Sequence, residues 1–412
     1  MIGEAIKAAK NPILPGRGVC DPHVRIFDGT LYLYASHDAS PDNADYCMND
    51  WQIWSTRDAI DWTHVATVHP EDTFMGASDA CWATDACARN GQYYFYFSNG
   101  AREIGVMSSP TPSGPFRDAI GKPMIAEGST PTMEYDPHVF VDDDGTPYLA
   151  FGGPAWAYRD KADGYYLARL DESMTVLAET PRKLALDHRG DDKVALHKWN
   201  GIYYLSWASH YATSDSVYGP YRYRGNIGAS KDHGTFFYWN NQWFNAFTIF
   251  DPTLNHRATG LCHVAYRKNG EMAPVESLIV ENGVGHYDAS WHRISAAWYM
   301  SASRYVVQEG PNGGFEAAGL TEGDDLTFPN IRNMPDSPTI CFFACCTNAD
   351  AAIEIWSDGH PMGTCNISTA SSPFHYNVFQ TRLPIRGGVH SLTLTIRGVN
   401  TSLHLDSFRI LP

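Results

Sequence analysis

The stretch Asp136–Gly153, DPHVFVDDDGTPYLAFGG, predicts a β-hairpin. Asp-Gly supplies the positive φ angles that a two-residue turn needs, and aromatic and β-branched residues flank it. Its opening tetrapeptide DPHV also occurs at Asp21–Val24, where IFDGTLYLYAS follows. The same tetrapeptide in the same context indicates a structural repeat.

The second half of this hairpin, a turn followed by an aromatic strand, occurs five times. The copies are FDGTLYLYAS at 27–36, RNGQYYFYFSNG at 89–100, DDDGTPYLAFGG at 142–153, KWNGIYYLSWAS at 198–209 and WNNQWFNAF at 239–247. Spacings of roughly 40 to 60 residues are typical of four-stranded propeller blades. We therefore predict an all-β fold that begins with a five-bladed β-propeller.

One position in each copy stands eight or nine residues before the turn, near the start of the first strand of the blade. These positions are Asp21, Ala83, Asp136, Asp192 and His233. If the first strands line the propeller axis, the five side chains meet at one end of it. Inverting hydrolysis of a glycosidic bond needs one carboxylate to activate water and one carboxylic acid to protonate the leaving oxygen. A third carboxylate can raise the pKa of the acid. The alternative is that the aspartates satisfy backbone N–H groups or bind a central cation.

Composition narrows the classes of partner. A net charge of −16 argues against nucleic acid and anionic membranes, and it suits a neutral ligand. The first 30 residues have no apolar signal-peptide core, and the chain has no apolar run of transmembrane length. None of the nine cysteines forms a CxxC pair, and the adjacent Cys345 and Cys346 are predicted to be buried rather than bridged.

The pattern changes near residue 288. Beyond it come short alternating strands with regular turn signals, which are typical of an antiparallel sandwich. We predict two domains, a propeller over 1–287 and a β-sandwich over 288–412.

Five segments resemble, in order, glycoside hydrolase family 43: DPHVRIFDGTLYLYAS, CWATDA, DPHVFVDDDGTPYLAFGG, LHKWNGIYYLSWAS and HGTFFYWNNQWF. The resemblance covers residues 11–286. It implies a five-bladed propeller and an inverting enzyme, typically an α-L-arabinofuranosidase, a β-xylosidase or an endo-arabinanase. By position it makes Asp21 the general base and Asp136 the residue that tunes the pKa of the acid and orients it.

The chain departs from this family at the general acid. Where the family has glutamate in a segment of the type E-x-P-x-x-H-K, this chain reads DKVALHK, which puts Asp192 at the glutamate position. The aspartate side chain is one methylene shorter, and a misplacement of about an ångström can cost roughly 100-fold in rate. Three interpretations follow: Asp192 is the acid, Asp191 or another residue is the acid, or catalysis is impaired.

The resemblance also implies other site residues. Trp82 and Asp85 would frame the sugar pocket, with a core tryptophan as the alternative. Arg257 would contact substrate, or else form a surface salt bridge. His233 would help to hold a calcium ion at the propeller axis, usually through water, or else be a hydrogen-bonded core histidine.

The predicted sandwich resembles carbohydrate-binding module family 6 in GGFEAAGLTEGDDLTFPNI and in LHLDSF. His404 stands where that family often has a ligand-binding asparagine. The domain therefore either binds sugar or buttresses the propeller.

Together these features predict an inverting exo-glycosidase of the α-L-arabinofuranosidase or β-xylosidase type, and the family resemblance implies that it is secreted or periplasmic. It would release a terminal sugar from a polysaccharide or oligosaccharide without an organic cofactor. The alternatives are a glycosidase for another sugar, such as a galactoside or an algal sugar, and a non-catalytic carbohydrate-binding propeller.

Overall fold

The computed structural model describes residues 2–39, 46–154, 161–191, 193–230, 232–250, 256–311, 313–372 and 374–412. The chain divides into two compact units. The first, the propeller unit, comprises Met1–Phe237, Asn245–Cys262 and Pro274–Val280; the second, the sandwich unit, comprises Tyr238–Phe244, His263–Ala273 and Glu281–Pro412. The predicted boundary between residues 287 and 288 stays a prediction.

Five antiparallel sheets follow one another along the chain. Their strands are β1 (Ala5–Lys7), β2 (Val19–Phe27), β3 (Thr30–His37), β4 (Trp51–Thr56) and β5 (Asp61–Val68) in blade one; β6 (Cys81–Arg89), β7 (Gln92–Asn99), β8 (Glu103–Ser109) and β9 (Arg117–Asp118) in blade two; β10 (His138–Val141), β11 (Pro147–Gly153), β12 (Gly164–Arg169) and β13 (Arg182–Lys183) in blade three; β14 (Val194–Trp199), β15 (Ile202–Trp207), β16 (His210–Ser214) and β17 (Arg222–Asn226) in blade four; and β18 (Gly234–Trp239), β19 (Gln242–Ile249) and β20 (Ala258–His263) in blade five. In blades two to five the strands pair in chain order, and β1 adds an outermost strand to blade one.

The first strands of the five blades contact one another in a closed ring. The contacts between successive blades are Arg25 with Asp85, Asp85 with the N–H of Val139, His138 with the carbonyl of Leu196, His197 with Phe236, and Thr235 with the carbonyl of Pro22. These strands therefore surround the propeller axis, as the repeat predicts.

The predicted turns form with one exception. Two-residue loops such as Asp28-Gly29 and Asn200-Gly201 have positive φ at both residues, as tight hairpins require. In blade three, however, β10 and β11 are joined by the whole segment 142–146, in which only Gly145 has positive φ. The prediction of a two-residue turn at Asp144-Gly145 was wrong, because strand pairing stops at Val141 and Pro147.

Two further sheets follow in the sandwich unit, and they are antiparallel except where β21 pairs with β26. The strands are β21 (Tyr287–Asp288), β22 (Ile294–Ser295), β23 (Ser301–Ala302), β24 (Val307–Glu309), β25 (Phe315–Leu320), β26 (Asp325–Met334), β27 (Thr339–Thr347), β28 (Ala351–Ser357), β29 (His360–Ile367), β30 (Asn377–Arg382), β31 (Gly388–Arg397) and β32 (Ser402–Leu411). One sheet runs β21-β26-β31-β28-β29 with β23 beside β26, and the other runs β24-β25-β32-β27-β30 with β22 beside β32. Burial alternates along β28, as expected for a sheet with one face in a core. The predicted fold class, propeller followed by β-sandwich, is confirmed.

Few other elements occur in the described ranges. They are one short helix, α1 (Ser277–Asn282), and two 3-10 turns, Pro70–Asp72 and Ala296–Trp298. The described helix is too short to span a bilayer. All nine cysteines are free, and Cys345 and Cys346 are buried without a bridge, as predicted.

Candidate active site

Asp21 and Asp136 have the same local structure in blades one and three. Each has a left-handed backbone, with φ of 51° and 53°, a conformation that Asp and Asn tolerate better than most other side chains. The N–H of Asp21 donates to Thr248 Oγ1 at 2.9 Å, and the N–H of Asp136 donates to Ser98 Oγ at 2.9 Å. In both cases the hydroxyl comes from the second strand of the preceding blade. The DPHV repeat is therefore a repeat of backbone geometry that places a carboxylate at the start of a first strand.

His233 joins the two aspartates. Its Nε2 lies 3.4 Å from Asp136 Oδ2 and 3.8 Å from Asp21 Oδ1. Burial lowers the pKa of His233, but Asp21 and Asp136 outweigh that effect, and the pKa is raised above its usual value. The three predicted residues thus meet at the axis, with the imidazole favoured as a cation between two carboxylates.

The predicted acid, Asp192, lies outside the described residues. Its neighbour in sequence, Lys193, donates its backbone N–H to Asp136 Oδ2 at 3.1 Å. On the other side, the N–H of Asp191 donates to the Tyr165 hydroxyl at 2.8 Å, and the Asp191 side chain is 48% exposed. The chain on both sides of Asp192 is therefore anchored, and one anchor is the carboxylate of Asp136.

Arg257 is the centre of a buried ion network. Its Nη1 donates to Asp21 Oδ1 at 2.7 Å, and its Nη2 donates to Asp38 Oδ1 at 2.9 Å. The side chain is only 5% exposed, so the alternative of a surface salt bridge was wrong. Whether Arg257 also contacts substrate stays a prediction.

Two charged groups complete this network. Asp232 Oδ2 lies 3.6 Å from Arg257 Nη1, and Asp232 Oδ1 lies 3.5 Å from Lys193 Nζ. Burial alone would raise the pKa of Asp232, but Lys193, His233 and Arg257 together lower it to about 2. Four aspartates, Asp21, Asp38, Asp136 and Asp232, thus face three cationic side chains.

Trp82 and Asp85 occupy different environments in β6. Trp82 is partly exposed, donates Nε1–H to the carbonyl of Tyr46 at 3.2 Å and has its ring edge-on to Tyr135. Asp85 has no exposed side-chain area, and its oxygens accept from the Arg25 guanidinium and from the N–H groups of Ala86 and Val139. Burial would raise the pKa of Asp85, but mainly Arg25 lowers it to about 2. Contact between Asp85 and a sugar would require these partners to be displaced, so we infer a structural role for Asp85.

Asp21, Asp232 and His233 bring one ligand atom each to within 4.8 Å of one another. Calcium prefers six to eight oxygen ligands, however, and the Arg257 guanidinium already contacts both carboxylates. A divalent ion bound directly here would face the charge of Arg257 at close range. These residues do not fit a directly coordinated calcium.

His23, Asp85 and His138 form a second such group. Each oxygen of Asp85 already accepts two hydrogen bonds, which leaves this carboxylate no free lone pair for a metal. We therefore assign this group to the packing of the axis.

Sequence reasoning missed Asp38, Asp232 and Lys193. Asp38 follows β3, Asp232 precedes β18 and Lys193 precedes β14, so all three stand just outside strands, where strand periodicity gives no signal. Adjacency to the predicted residues Asp192 and His233 was the only available hint for Lys193 and Asp232. No sequence pattern marks Asp38.

In the sandwich unit, His404 Nδ1 lies 2.9 Å from Glu316 Oε1, and the Tyr376 hydroxyl donates to Glu316 Oε2. Glu316 is buried, and its two carboxylate oxygens are thus engaged within the domain. The resemblance of this unit to carbohydrate-binding module family 6 stays a prediction.

Comparisons with known proteins identify the family. The model of glycosyl hydrolases family 43 matches residues 9–272. A xylosidase/arabinosidase of Bacteroides ovatus is 33% identical over 54% of this chain and 82% of its own length, and an arabinoxylan arabinofuranohydrolase of Paenibacillus polymyxa is 24% identical over 99% of this chain and 75% of its own length. The crystal structure of a family 43 enzyme from Xanthomonas citri complexed with xylose superposes with a TM-score of 0.56 at 29% identity, over 65% of this chain and 94% of that one. The chain belongs to glycosyl hydrolases family 43 and is a glycosidase.

Proposed function

We propose that the protein is an inverting exo-glycosidase that releases a terminal α-L-arabinofuranosyl or β-D-xylosyl unit from an oligosaccharide or polysaccharide. Asp21 serves as general base and Asp192 as general acid. Asp136 holds the segment that carries the acid. The observation that carries this assignment is the hydrogen bond from the N–H of Lys193 to Asp136 Oδ2 at 3.1 Å.

The two carboxylate oxygens of Asp21, the proposed base, have different partners. Oδ1 of Asp21 accepts from Arg257, whereas its Oδ2 has only the Cys20 thiol, at 3.7 Å, as a partner within the described part of the chain. An ionised carboxylate whose second oxygen has only a weak thiol donor can accept the proton of a water molecule as that water attacks the anomeric carbon. The proton moves to Asp21 while the glycosidic bond breaks. The leaving oxygen receives the proton of the acid, so the reaction needs no organic cofactor.

The acid must stand opposite the base. In inverting enzymes the two carboxyl groups are roughly 6.5–9.5 Å apart, which leaves room for water and sugar between them. Asp136, anchored by Ser98 and bound to the N–H of Lys193, fixes the chain next to Asp192. Its charge would favour the protonated form of a nearby acid, because like charges disfavour a second ionisation.

The choice of sugar rests on the relatives. The names of the Bacteroides and Paenibacillus proteins refer to xylosidase and arabinosidase activities, and the Xanthomonas enzyme was crystallised with xylose. We propose the same sugars as substrates of this protein. Because a polysaccharide does not cross a membrane unaided, we also propose a secreted or periplasmic location.

The first test is hydrolysis of 4-nitrophenyl α-L-arabinofuranoside and 4-nitrophenyl β-D-xyloside, with the product anomer followed by NMR. We expect turnover of at least one substrate and initial formation of the anomer of opposite configuration. Retention of configuration would refute the roles of Asp21 and Asp192. Turnover confined to a galactoside or another sugar would refute the proposed specificity and leave the mechanism intact.

A second test separates the two candidate acids. Asp192→Asn should lose activity on poor leaving groups and keep much of it on activated aryl leaving groups, which need little protonation. Asp191→Asn is the matched control and should show no such dependence. The opposite result would make Asp191 the acid.

Two finer predictions remain. A calcium ion held through water by His233 is implied by the resemblance, but no catalytic step depends on it. Sugar binding by the sandwich unit likewise remains a prediction.

A further inference from the structure

Asp38 is buried just after β3, with its side chain against Arg257. Asp38 Oδ2 accepts the backbone N–H of Arg257 at 2.9 Å and its Nε–H at 3.3 Å, and Oδ1 accepts Nη2–H at 2.9 Å. One carboxylate thus holds both the main chain and one edge of the guanidinium. Such two-point pairing fixes the plane of the guanidinium as well as its position.

The opposite side of the guanidinium faces the base. Nη1 of Arg257 donates to Asp21 Oδ1 at 2.7 Å, so the planar group links the two carboxylates. Because Asp38 sets the plane, it also sets the direction from which Nη1 reaches Asp21. The orientation of Asp21 Oδ2, the oxygen available to water, therefore depends on Asp38.

The backbone around Asp38 is fixed independently. Its N–H donates to the carbonyl of Gly18 at 2.9 Å. A Cβ at Gly18 would lie 2.8 Å from the Asp38 carbonyl oxygen and 3.3 Å from the Asp38 Cβ, and Gly18 has a φ of +66°. Only glycine allows this approach without strain, so the chain just before β2 holds Asp38 in place.

We propose that Asp38 is a positioning residue of the reaction: it clamps Arg257, and Arg257 in turn orients Asp21 to activate water. This inference rests on the proposed function of Asp21. It also assigns Arg257 to the base rather than to recognition of the sugar. Arg257 has no need to touch substrate for this role.

The kinetic test uses Asp38→Asn, which keeps the shape of the side chain and removes its charge. We expect kcat to fall by about 10- to 100-fold, as for a misplacement on the ångström scale. KM should change by less than about twofold, because an interaction felt only in the transition state is being weakened. Asp142→Asn is the matched control, since Asp142 is 10% exposed, binds Lys198 at 2.6 Å and lies at the other end of β10 from Asp136.

The leaving group identifies the partner through which Asp38 acts. The test uses aryl glycosides of one sugar with 4-nitrophenyl and 2,4-dinitrophenyl leaving groups. The kcat of Asp38→Asn should fall by the same factor on both substrates, because both need water to be activated. A loss that disappears with the better leaving group would place Asp38 with the acid and overturn the proposal. Unchanged kcat would also overturn it.

Two further measurements keep the test decisive. If Asp38→Asn does not fold, Arg257→Lys takes its place, because an ammonium lacks the planar fork that pairs with Asp38 at two points. We expect the same loss of kcat for both leaving groups. If the wild type hydrolyses no aryl glycoside, the proposed function fails, and crystal structures of wild type and Asp38→Asn decide the clamp separately. In the variant the guanidinium of Arg257 should leave Asp21, and an unmoved guanidinium would refute the clamp.

Discussion

In the propeller unit, Arg257 and Lys193 are buried among four aspartates, whereas in the sandwich unit the inward positions of β28 and β31 are held mainly by Ile353, Ile355 and Leu394. The sandwich unit has an ion pair between Arg304 and Asp324, but Arg304 is 46% exposed and contacts one carboxylate. Arg257 is 5% exposed and meets three.

The two units differ in how much free energy is needed to remove their charged groups from water. Desolvation of charged groups can exceed the attraction between them, and apolar residues in their place are often as stable. A fold that keeps seven charged side chains at one end of its axis therefore gains little stability from them. Their joint presence around Asp21 is better explained by chemistry than by folding, and the two units should respond differently to the same substitution.

The largest contrast should come from equivalent aspartate variants in the two units. Asp21→Asn should lower kcat on aryl glycosides by about 100- to 10,000-fold, the usual range for a general base. Asp324→Asn, which removes a charge paired with Arg304 at 2.7 Å, should leave kcat within about twofold and lower only stability. Kinetics and thermal unfolding of both variants provide the measurement. If Asp21→Asn keeps its activity, Asp21 is not the general base.

Arginine removal should separate the units by stability. Arg257→Met removes the cation that contacts Asp21, Asp38 and Asp232, and we expect a loss of about 3–5 kcal/mol in the free energy of unfolding. Arg304→Met in the sandwich unit should cost at most about 1 kcal/mol, because its ion pair is half-exposed. Urea unfolding measures both. Equal losses would show that burial does not distinguish the two networks.

A smaller effect should appear in acid. Burial lowers the pKa of His263 in the sandwich unit to about 3, and burial, opposed by Asp85, lowers that of His23 in the propeller unit to about 4. Because the unfolded histidine titrates near 6.5, each neutral ring contributes stability above that pH that is lost as the pH falls towards the folded value. Between pH 6.5 and pH 5 the loss is up to about 2 kcal/mol per histidine.

Urea unfolding at pH 7 and pH 5 tests this effect. His263→Phe, which keeps a ring beside Phe244, should reduce the loss of stability in acid. The exposed His360 on β29 is the control, and His360→Phe should leave the pH dependence unchanged. An unchanged slope in His263→Phe would show that His263 is not buried in its neutral form.

The smallest effect should be that of a chelator. Arg257, Lys193 and His233 already supply positive charge to the carboxylates at the axis, so EDTA should change kcat by less than about twofold. Activity after dialysis against EDTA, with and without added calcium, provides the measurement. Loss of activity that calcium restores would show that the ion contributes to the site.

The sequence by itself determined the fold class and the meeting of three predicted residues. The five hairpin copies place Asp21, Asp136 and His233 at the starts of first strands, and a closed ring of such strands brings them together. Local rules suffice for this, because turn residues and alternating strands act over a few neighbours. The rule failed at Asp144-Gly145, where strand pairing ends at Val141 and Pro147 and leaves the longer loop 142–146.

Only the tertiary structure decided how Asp21 is held. Asp38 and Arg257 are 219 positions apart, and both stand outside regular strands, so no periodicity connects them. It also decided that Asp85 is tied to Arg25 rather than exposed to substrate, since the two residues come from different blades. Closing the propeller sets these distances, and a long-range ion pair leaves no pattern in the residues between its partners.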